Sequence, residues 1–404
     1  MLLYFTHRNF YLFGLVLVAI GLPLSPALMS IGQAVLVLNW IAEAQFATKW
    51  QSIKNNYYLL SFLAIFAIHV IGLLYTSNYE YAFKDLKIKL PLLVFPIIMA
   101  SIKPITWTEL KIILYFLIAS VFVSSLYSLS IYITIDNANV DTLRNISPII
   151  SHIRLSLIIC VSFFAIVYLI YKSDKEITSV FNILLMLLAA WFFVFIGILG
   201  ARAGYLALFV CIVILLIYQI STAKKWNWIF ILLLFTILLP LLMYKFVPSV
   251  SQRINEAKNE VNHYNAGGNP SGHSITQRFE YWKIAKCIFM NNLFIGVGTG
   301  DIDDEFKSYY ASNKTPMKKD FQFRTHNQYF TILSTFGIIG FIFFVTAFLY
   351  PYLKGIEPYS FLPTIFLIIT LLSMLTEDTL ETQAGATFVS FFFSVFLLSA
   401  FKRK

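Results

Sequence analysis

Charge is scarce in this chain: of 404 residues only 12% are Asp, Glu, Lys or Arg, while 59% are hydrophobic and the mean hydropathy is +0.76. That scarcity excludes a soluble domain; long apolar stretches instead imply many membrane spans. Cysteine is scarce too. Cys160, Cys211 and Cys287 lie far apart and two fall inside apolar runs, which excludes a disulfide framework or a thiolate metal site as the design. Internal repeats and low-complexity tracts are lacking. The first apolar stretch has no small-residue cleavage pattern, so it reads as a retained span rather than a signal peptide. "GVGTGD" is no nucleotide fingerprint, because no strand or βαβ unit supports it. No nucleic-acid partner is expected.

What is abundant is aromatic. The 40 Phe and 23 Tyr suit lipid-facing and interfacial surfaces. Crossing a bilayer takes roughly 17–25 apolar residues. Segments that meet or approach this lie near 9–24, 27–45, 57–76, 88–101, 110–135, 149–171, 180–200, 203–220, 227–246, 327–350, 359–377 and 384–401. The expected fold is therefore an all-α polytopic membrane protein of about twelve transmembrane helices. With the N-terminus in the cytoplasm, the inside loops hold Arg8, Lys49 with Lys54, Lys103 with Lys111, Lys172 with Lys175, Lys224 with Lys225, Lys354 and the tail Lys402-Arg403-Lys404. Each is basic, as the positive-inside rule asks, and both termini fall on the cytoplasmic side.

Three parts follow along the chain: an N-terminal membrane bundle over 1–246, a large outward loop over 247–326, and C-terminal spans over 327–404. Within the loop, "NHYNAGGNPSGHSITQ" is turn-rich, whereas Phe279, Trp282, Ala285 and Phe289 recur at helical spacing and predict a helix with an aromatic face. His263 and His273 read as bystanders in the turn-rich stretch.

The residues that stand out carry charge on the predicted outer side, where an ionisable group at the membrane boundary is usually paired or functional. They are Lys84, Lys87 and Lys89 in "YAFKDLKIKLP", Arg144, His152 and Arg154 in "RNISPIISHIRLSL", and Arg202 in "GILGARAGYLAL". Arg278, Arg324 and His326 complete the set, with Asn327 and Tyr329 beside the histidine. Plain alternatives exist: snorkelling lysines, a solvated Arg144, and an Arg278 on the polar flank of an amphipathic helix. Arg202 is harder to explain this way, since only Gly200, Ala201, Ala203 and Gly204 surround it. Guanidinium and ammonium groups gathered at one interface suit a phosphate or diphosphate headgroup. Asp301, Asp303, Asp304 and Glu305 offer a metal set on paper, but read better as the first turn of a helix. No metal or cofactor is expected. Glu377, Asp378 and Glu381 form an outward turn that either offsets the cations, orients an imidazole, or is simply solvated.

Taken in order, "GARAGYLAL", "QRFEYWKIA" followed by "NNLFIGVGTGD", and "RTHNQYFTILSTFGIIG" resemble the O-antigen ligase and O-antigen polymerase superfamily of polytopic envelope glycosyltransferases. "GLLYTSNYEYAFKDLKIKLPLLVFP" and "TEDTLETQAGATFVSFFFSVF" look like its early and late segments. The resemblance implies a bacterial inner-membrane enzyme with a periplasmic active site, a polyprenyl-diphosphate-linked glycan donor, and a lipid A-core sugar or other glycan as acceptor. It also implies that Arg202 and Arg278 hold the diphosphate and that His326 serves the acceptor hydroxyl. Arg154, His152, Lys87, Lys89, Arg324, Asn327 and Tyr329 are expected to support substrate binding. Polymerase and protein O-oligosaccharyltransferase activities fit the same pattern. A transporter or flippase for anionic lipid or polysaccharide is the reading from another class, though it should show repeats or midplane charge. A membrane scaffold is a third.

Overall fold

The computed structural model describes residues 6–134, 146–173, 176, 178–223, 226–246, 248–312, 315–354 and 360–400. Arg144, Lys175, Lys224, Lys225 and the tail Lys402-Arg403-Lys404 lie outside the described residues. Every regular element among those described is helical. Among the described residues, seven helices are long and apolar enough to cross a membrane: His7–Leu24, Trp107–Thr134, His152–Tyr171, Val180–Leu199, Arg202–Ser221, Gln328–Leu353 and Gln383–Ala400.

The remaining apolar runs form shorter or interrupted helices, and the breaks have local causes. Pro91 and Pro96 shape the 11-residue helix Pro91–Ser101. The 57–76 run divides into Tyr57–Leu60, Leu63–Ile71 and a 3₁₀ turn at Gly72–Leu74. Beyond Trp226–Leu233 the chain passes through a π-helical turn, Leu234–Leu238, before Leu239–Phe246. Phe361–Ser373 has only 13 residues.

The chain groups into two compact units, each assembled from separated segments. The first comprises Met1–Ala44, Ile105–Ile254 and Phe361–Ser373. Its opening helices form a tight hairpin: the Ser25 hydroxyl accepts the Leu28 amide at 3.2 Å with Pro26 at the first helical position. Trp107–Thr134 lies on this hairpin, and its Ser124 hydroxyl donates to the Pro23 carbonyl at 3.1 Å. Small-residue contact and interhelical hydroxyl bonds are the usual cement where hydrocarbon removes the hydrophobic drive. Arg8 forks onto Glu109 through Nε and Nη2 at 2.6 and 2.5 Å. Cys160, Cys211 and Cys287 are free thiols, the first two buried.

The second unit comprises Gln45–Pro104, Asn255–Ser360 and Met374–Lys404. Its membrane-helix core is aromatic: Phe62 stacks on Phe393 at 4.3 Å and meets Phe348 edge-on at 5.2 Å. Ser390 ties Gln383–Ala400 to the Pro91 carbonyl at 2.7 Å. Phenylalanine serves two roles in this unit: Phe62, Phe95, Phe344 and Phe348 are among the largest fully buried side chains, whereas Phe83, Phe294 and Phe343 are exposed. Rings that interlock edge to face fill a helix interface better than they serve a fluid solvent.

The same unit holds the predicted loop helix, Thr276–Asn291. Tyr281, Ile284, Ala285 and Ile288 pack with Ile302, Phe306, Tyr310 and Met317 into a separate small core. The buried stripe is thus displaced from the predicted one, with Phe279, Trp282 and Phe289 only partly covered. Asp303, Asp304 and Glu305 do occupy the first turn of helix Ile302–Ser312. Asp301 ahead of them accepts the Ser77 and Asn78 amides at 2.8–2.9 and 2.7 Å, which fixes the turn before Tyr79–Lys89.

Candidate active site

His326 sits one residue outside the N-terminal cap of helix Gln328–Lys354, at φ 46. A non-glycine residue in the left-handed region is uncommon and must be held there. Asp378 does the holding. Its Oδ2 accepts the His326 amide at 2.9 Å, while Oδ1 accepts the Asn327 amide at 3.1 Å and the Thr325 and Thr331 hydroxyls at 2.8 and 2.7 Å. Asn327 caps the helix: its Oδ1 accepts the Tyr329 and Phe330 amides at 3.0 and 3.2 Å, and its Nδ2 donates to the Leu375 carbonyl at 2.9 Å.

Arg278 comes from the first turn of Thr276–Asn291. The two helices start at the same end and run together, with Trp282 stacked on Phe330 at 5.9 Å and the Ser334 hydroxyl bonded to the Ala285 carbonyl at 3.0 Å. Tyr281 brings its ring within 5.8 Å of the imidazole. One carboxylate then links the two predicted residues: Glu377 Oε1 accepts from Arg278 Nη2 at 2.7 Å, and Oε2 lies 4.0 Å from His326 Nδ1. Among the described residues this is the single hydrogen bond of the Arg278 guanidinium, so further N–H donors remain for a ligand. Two helix N-termini meeting at one place also favour an anion there. Burial lowers the His326 pKa from its ordinary value, Asp378 opposes this, and Arg278 and Arg324 reinforce it. The imidazole is therefore biased toward its neutral form.

Next to the pair lies a second group of charges, most of it buried. The Lys89 ammonium is 0% exposed, bonds Asp85 and reaches Glu381 Oε2 at 3.2 Å. Arg324 Nη2 lies 3.4 Å from the same oxygen, with its guanidinium over the Tyr81 ring at 5.7 Å. Gln328 closes the set, donating to Glu381 Oε1 at 3.2 Å and accepting the Leu380 amide at 2.8 Å. Burial alone would raise the Glu381 pKa, but Lys89 and Arg324 outweigh it and hold the carboxyl well below the usual range. His69 Nε2 approaches Asp85 at 3.9 Å.

The expected basic cluster is thus balanced by acids: Lys89, Arg278 and Arg324 face Asp85, Glu377, Asp378 and Glu381. Buried cations require such partners. Lys89, Arg324 and Asn327 are tied into the protein, whereas Lys87 is exposed and Tyr329 half-buried. Asp85 and His69 went unrecognised in the sequence; the Asp85–Lys89 spacing of one helical turn was the available signal.

Arg202, His152 and Arg154 belong to the first unit. Gly200, at φ 62, ends Val180–Leu199, and after extended Ala201 the next helix begins at Arg202 itself. Ser151 caps His152–Tyr171 by accepting the Arg154 amide at 3.3 Å. Gly204 rests on Ser156, and Cys160 Sγ donates to the Gly204 carbonyl at 3.3 Å. The three sequence-selected residues therefore share one end of that unit, each half-buried.

Residues 187–345 match the family model described as O-antigen ligase. This region of the chain is similar to that family. The family region contains Arg202, Arg278, Arg324, His326, Asn327 and Tyr329; Glu377, Asp378 and Glu381 follow it. The match supports a membrane glycosyltransferase of the O-antigen ligase and polymerase superfamily. No curated protein matches the chain.

Proposed function

We propose that the chain is an O-antigen ligase-like glycosyltransferase, which moves a glycan from a polyprenyl-diphosphate carrier to a hydroxyl of a lipid A-core sugar at the periplasmic face of a bacterial inner membrane. The observation that carries this reading is Glu377 joining Arg278 to His326. A guanidinium with spare donors beside a neutral imidazole supplies the two things the reaction asks for. The acceptor oxygen attacks the anomeric carbon as its proton passes to His326 Nε2, while Nδ1 stays turned to Glu377. The bond from that carbon to the diphosphate breaks, with inversion. Charge then gathers on the departing diphosphate, where Arg278 stabilises it. Arginine's fixed fork matches phosphate oxygens better than a lysine can.

Lys87, His152 and Arg154 are assigned to the carrier or glycan. Lys89, Arg324 and Asn327 act from within, by keeping the His326 loop in place. Arginine can stabilise the leaving group without a metal, so EDTA-resistant turnover is expected.

The test is transfer by purified protein from a polyprenyl-diphosphate glycan, with lipid A-core, a second carrier-linked glycan and a hydroxyl-bearing peptide supplied separately. Product with lipid A-core supports the ligase reading. Elongation of carrier-linked glycan alone moves the assignment to polymerase, and modification of the peptide alone moves it to protein O-glycosylation. No product with any acceptor overturns the proposal. Arg278→Lys should weaken donor use, and undiminished donor binding would remove its diphosphate role; Arg202→Lys tests the separate expectation for Arg202 in the same assay.

A further inference from the structure

Helix Gln328–Lys354 is interrupted at Gly337, whose φ of 63 and ψ of −165 leave the helical region. Such a break frees backbone groups that hydrocarbon cannot satisfy. Here a second stretch of chain satisfies them. The Val297 and Gly298 amides donate to the Ser334 and Thr335 carbonyls at 3.1 and 2.9 Å, and the Ile338 and Ile339 amides donate to the Leu293 and Phe294 carbonyls at 2.9 and 3.2 Å. Gly337 has no room for a Cβ, because Phe294 backbone fills that space; Gly296 is closed in the same way by Thr335.

Depth follows from helix geometry. Gln328 to Gly337 is nine residues, about 14 Å of rise, in a span facing a hydrocarbon layer of about 30 Å. Arg278 to Met290 is about 18 Å along the neighbouring helix, which starts at the same end. Both arms thus descend from the level of Arg278 and His326 to the level of the break. The side chains at the bottom are apolar and uncovered: Phe294 is 67% exposed, and Met290, Leu293 and Ile295 are exposed as well. They continue the exposed apolar surface of Ile338 and Ile342 on the span itself.

We infer that Thr276–Gly298 is a re-entrant element, whose tip at Met290–Ile295 lies among lipid acyl chains instead of in water with the rest of the outward loop. The inference is independent of the glycosyl-transfer reading. It turns the loop helix into a lever with Arg278 at one end and lipid contact at the other.

The experiment uses the full chain in lipid nanodiscs, where both membrane faces meet solvent, with Cys287→Ser removing the half-buried thiol. Phe294→Cys is compared with Lys283→Cys, whose side chain is 62% exposed on the helix Thr276–Asn291 that leads to the tip. A charged maleimide should modify position 283 at least about tenfold faster than position 294, since charge is excluded from hydrocarbon. A nitroxide at 294 should be relaxed more by oxygen than by a water-soluble nickel chelate. Ile295→Cys repeats both measurements and guards against a local distortion at 294. Equal maleimide rates, or stronger relaxation by the nickel chelate, would place the tip in water and overturn the inference. Weak relaxation by both reagents would overturn it too, because protein and not lipid would then cover the tip.

Discussion

Replacing Glu377 by alanine removes the bridge between Arg278 and His326. The bond it breaks is 2.7 Å long, between side chains 19% and 21% exposed. Hydrogen bonds to charged groups contribute about 1.5–3 kcal/mol, and partial exposure argues for the lower half of that range. If about 1.5–2 kcal/mol of that is realised in the transition state, transfer should slow by roughly 10- to 30-fold, at 1.36 kcal/mol per decade. The assay is the initial rate of glycan transfer by purified protein, with thermal unfolding in detergent followed alongside. A double-mutant cycle supplies the decisive comparison. Because Glu377 works through Arg278, Glu377→Ala should cost clearly less in an Arg278→Ala background than alone. Equal costs in the two backgrounds, or an unchanged rate in the single variant, would refute the bridge.

Removing the imidazole with His326→Ala should cut transfer by about 10²–10⁴-fold while membrane insertion, followed by fractionation, stays normal; near-normal transfer would end the base assignment. The base must be neutral, and burial together with Arg278 and Arg324 lowers its pKa, so activity should hold through neutrality and fall only on the acid side of the usual imidazole value. Asp378 pulls the other way, so Asp378→Asn should move that acid limb to lower pH, measured as kcat/KM against pH. Lys89→Met strands Asp85 and Glu381 in the interior and should cost about 3–5 kcal/mol of stability, read as a large drop in Tm. A Lys89 that served substrate alone would instead raise KM and leave Tm intact. Gly337→Ala should lower Tm as well, through positive φ and overlap with the Phe294 backbone.

Much of the helical content could be read from apolar runs, and the loop helix from its spacing, because both depend on local periodicity. Arg278 and His326 were legible as unusual cations near a membrane boundary. Their meeting was not, since it depends on a carboxylate 99 residues from Arg278. Lys89 was misleading for the same reason: its sequence neighbours read as an interface, whereas its burial rests on Glu381, 292 residues away. The break at Gly337 left no trace, because a lone glycine inside an apolar helix is tolerated and only the distant 293–298 strip explains this one. The outward turn at Glu377–Glu381 was seen, with three readings open; its geometry selects orientation and charge balance over simple solvation.

Each compact unit is stitched from three stretches of chain, and the last stretch of each comes after residue 360. During synthesis, both units therefore wait on the final pieces to emerge: Phe361–Ser373 for one, the Gln383–Ala400 helix for the other. A ribosome that stalls near residue 350 would release neither half in finished form. Quality-control proteases should meet two open bundles rather than one intact domain with a ragged end.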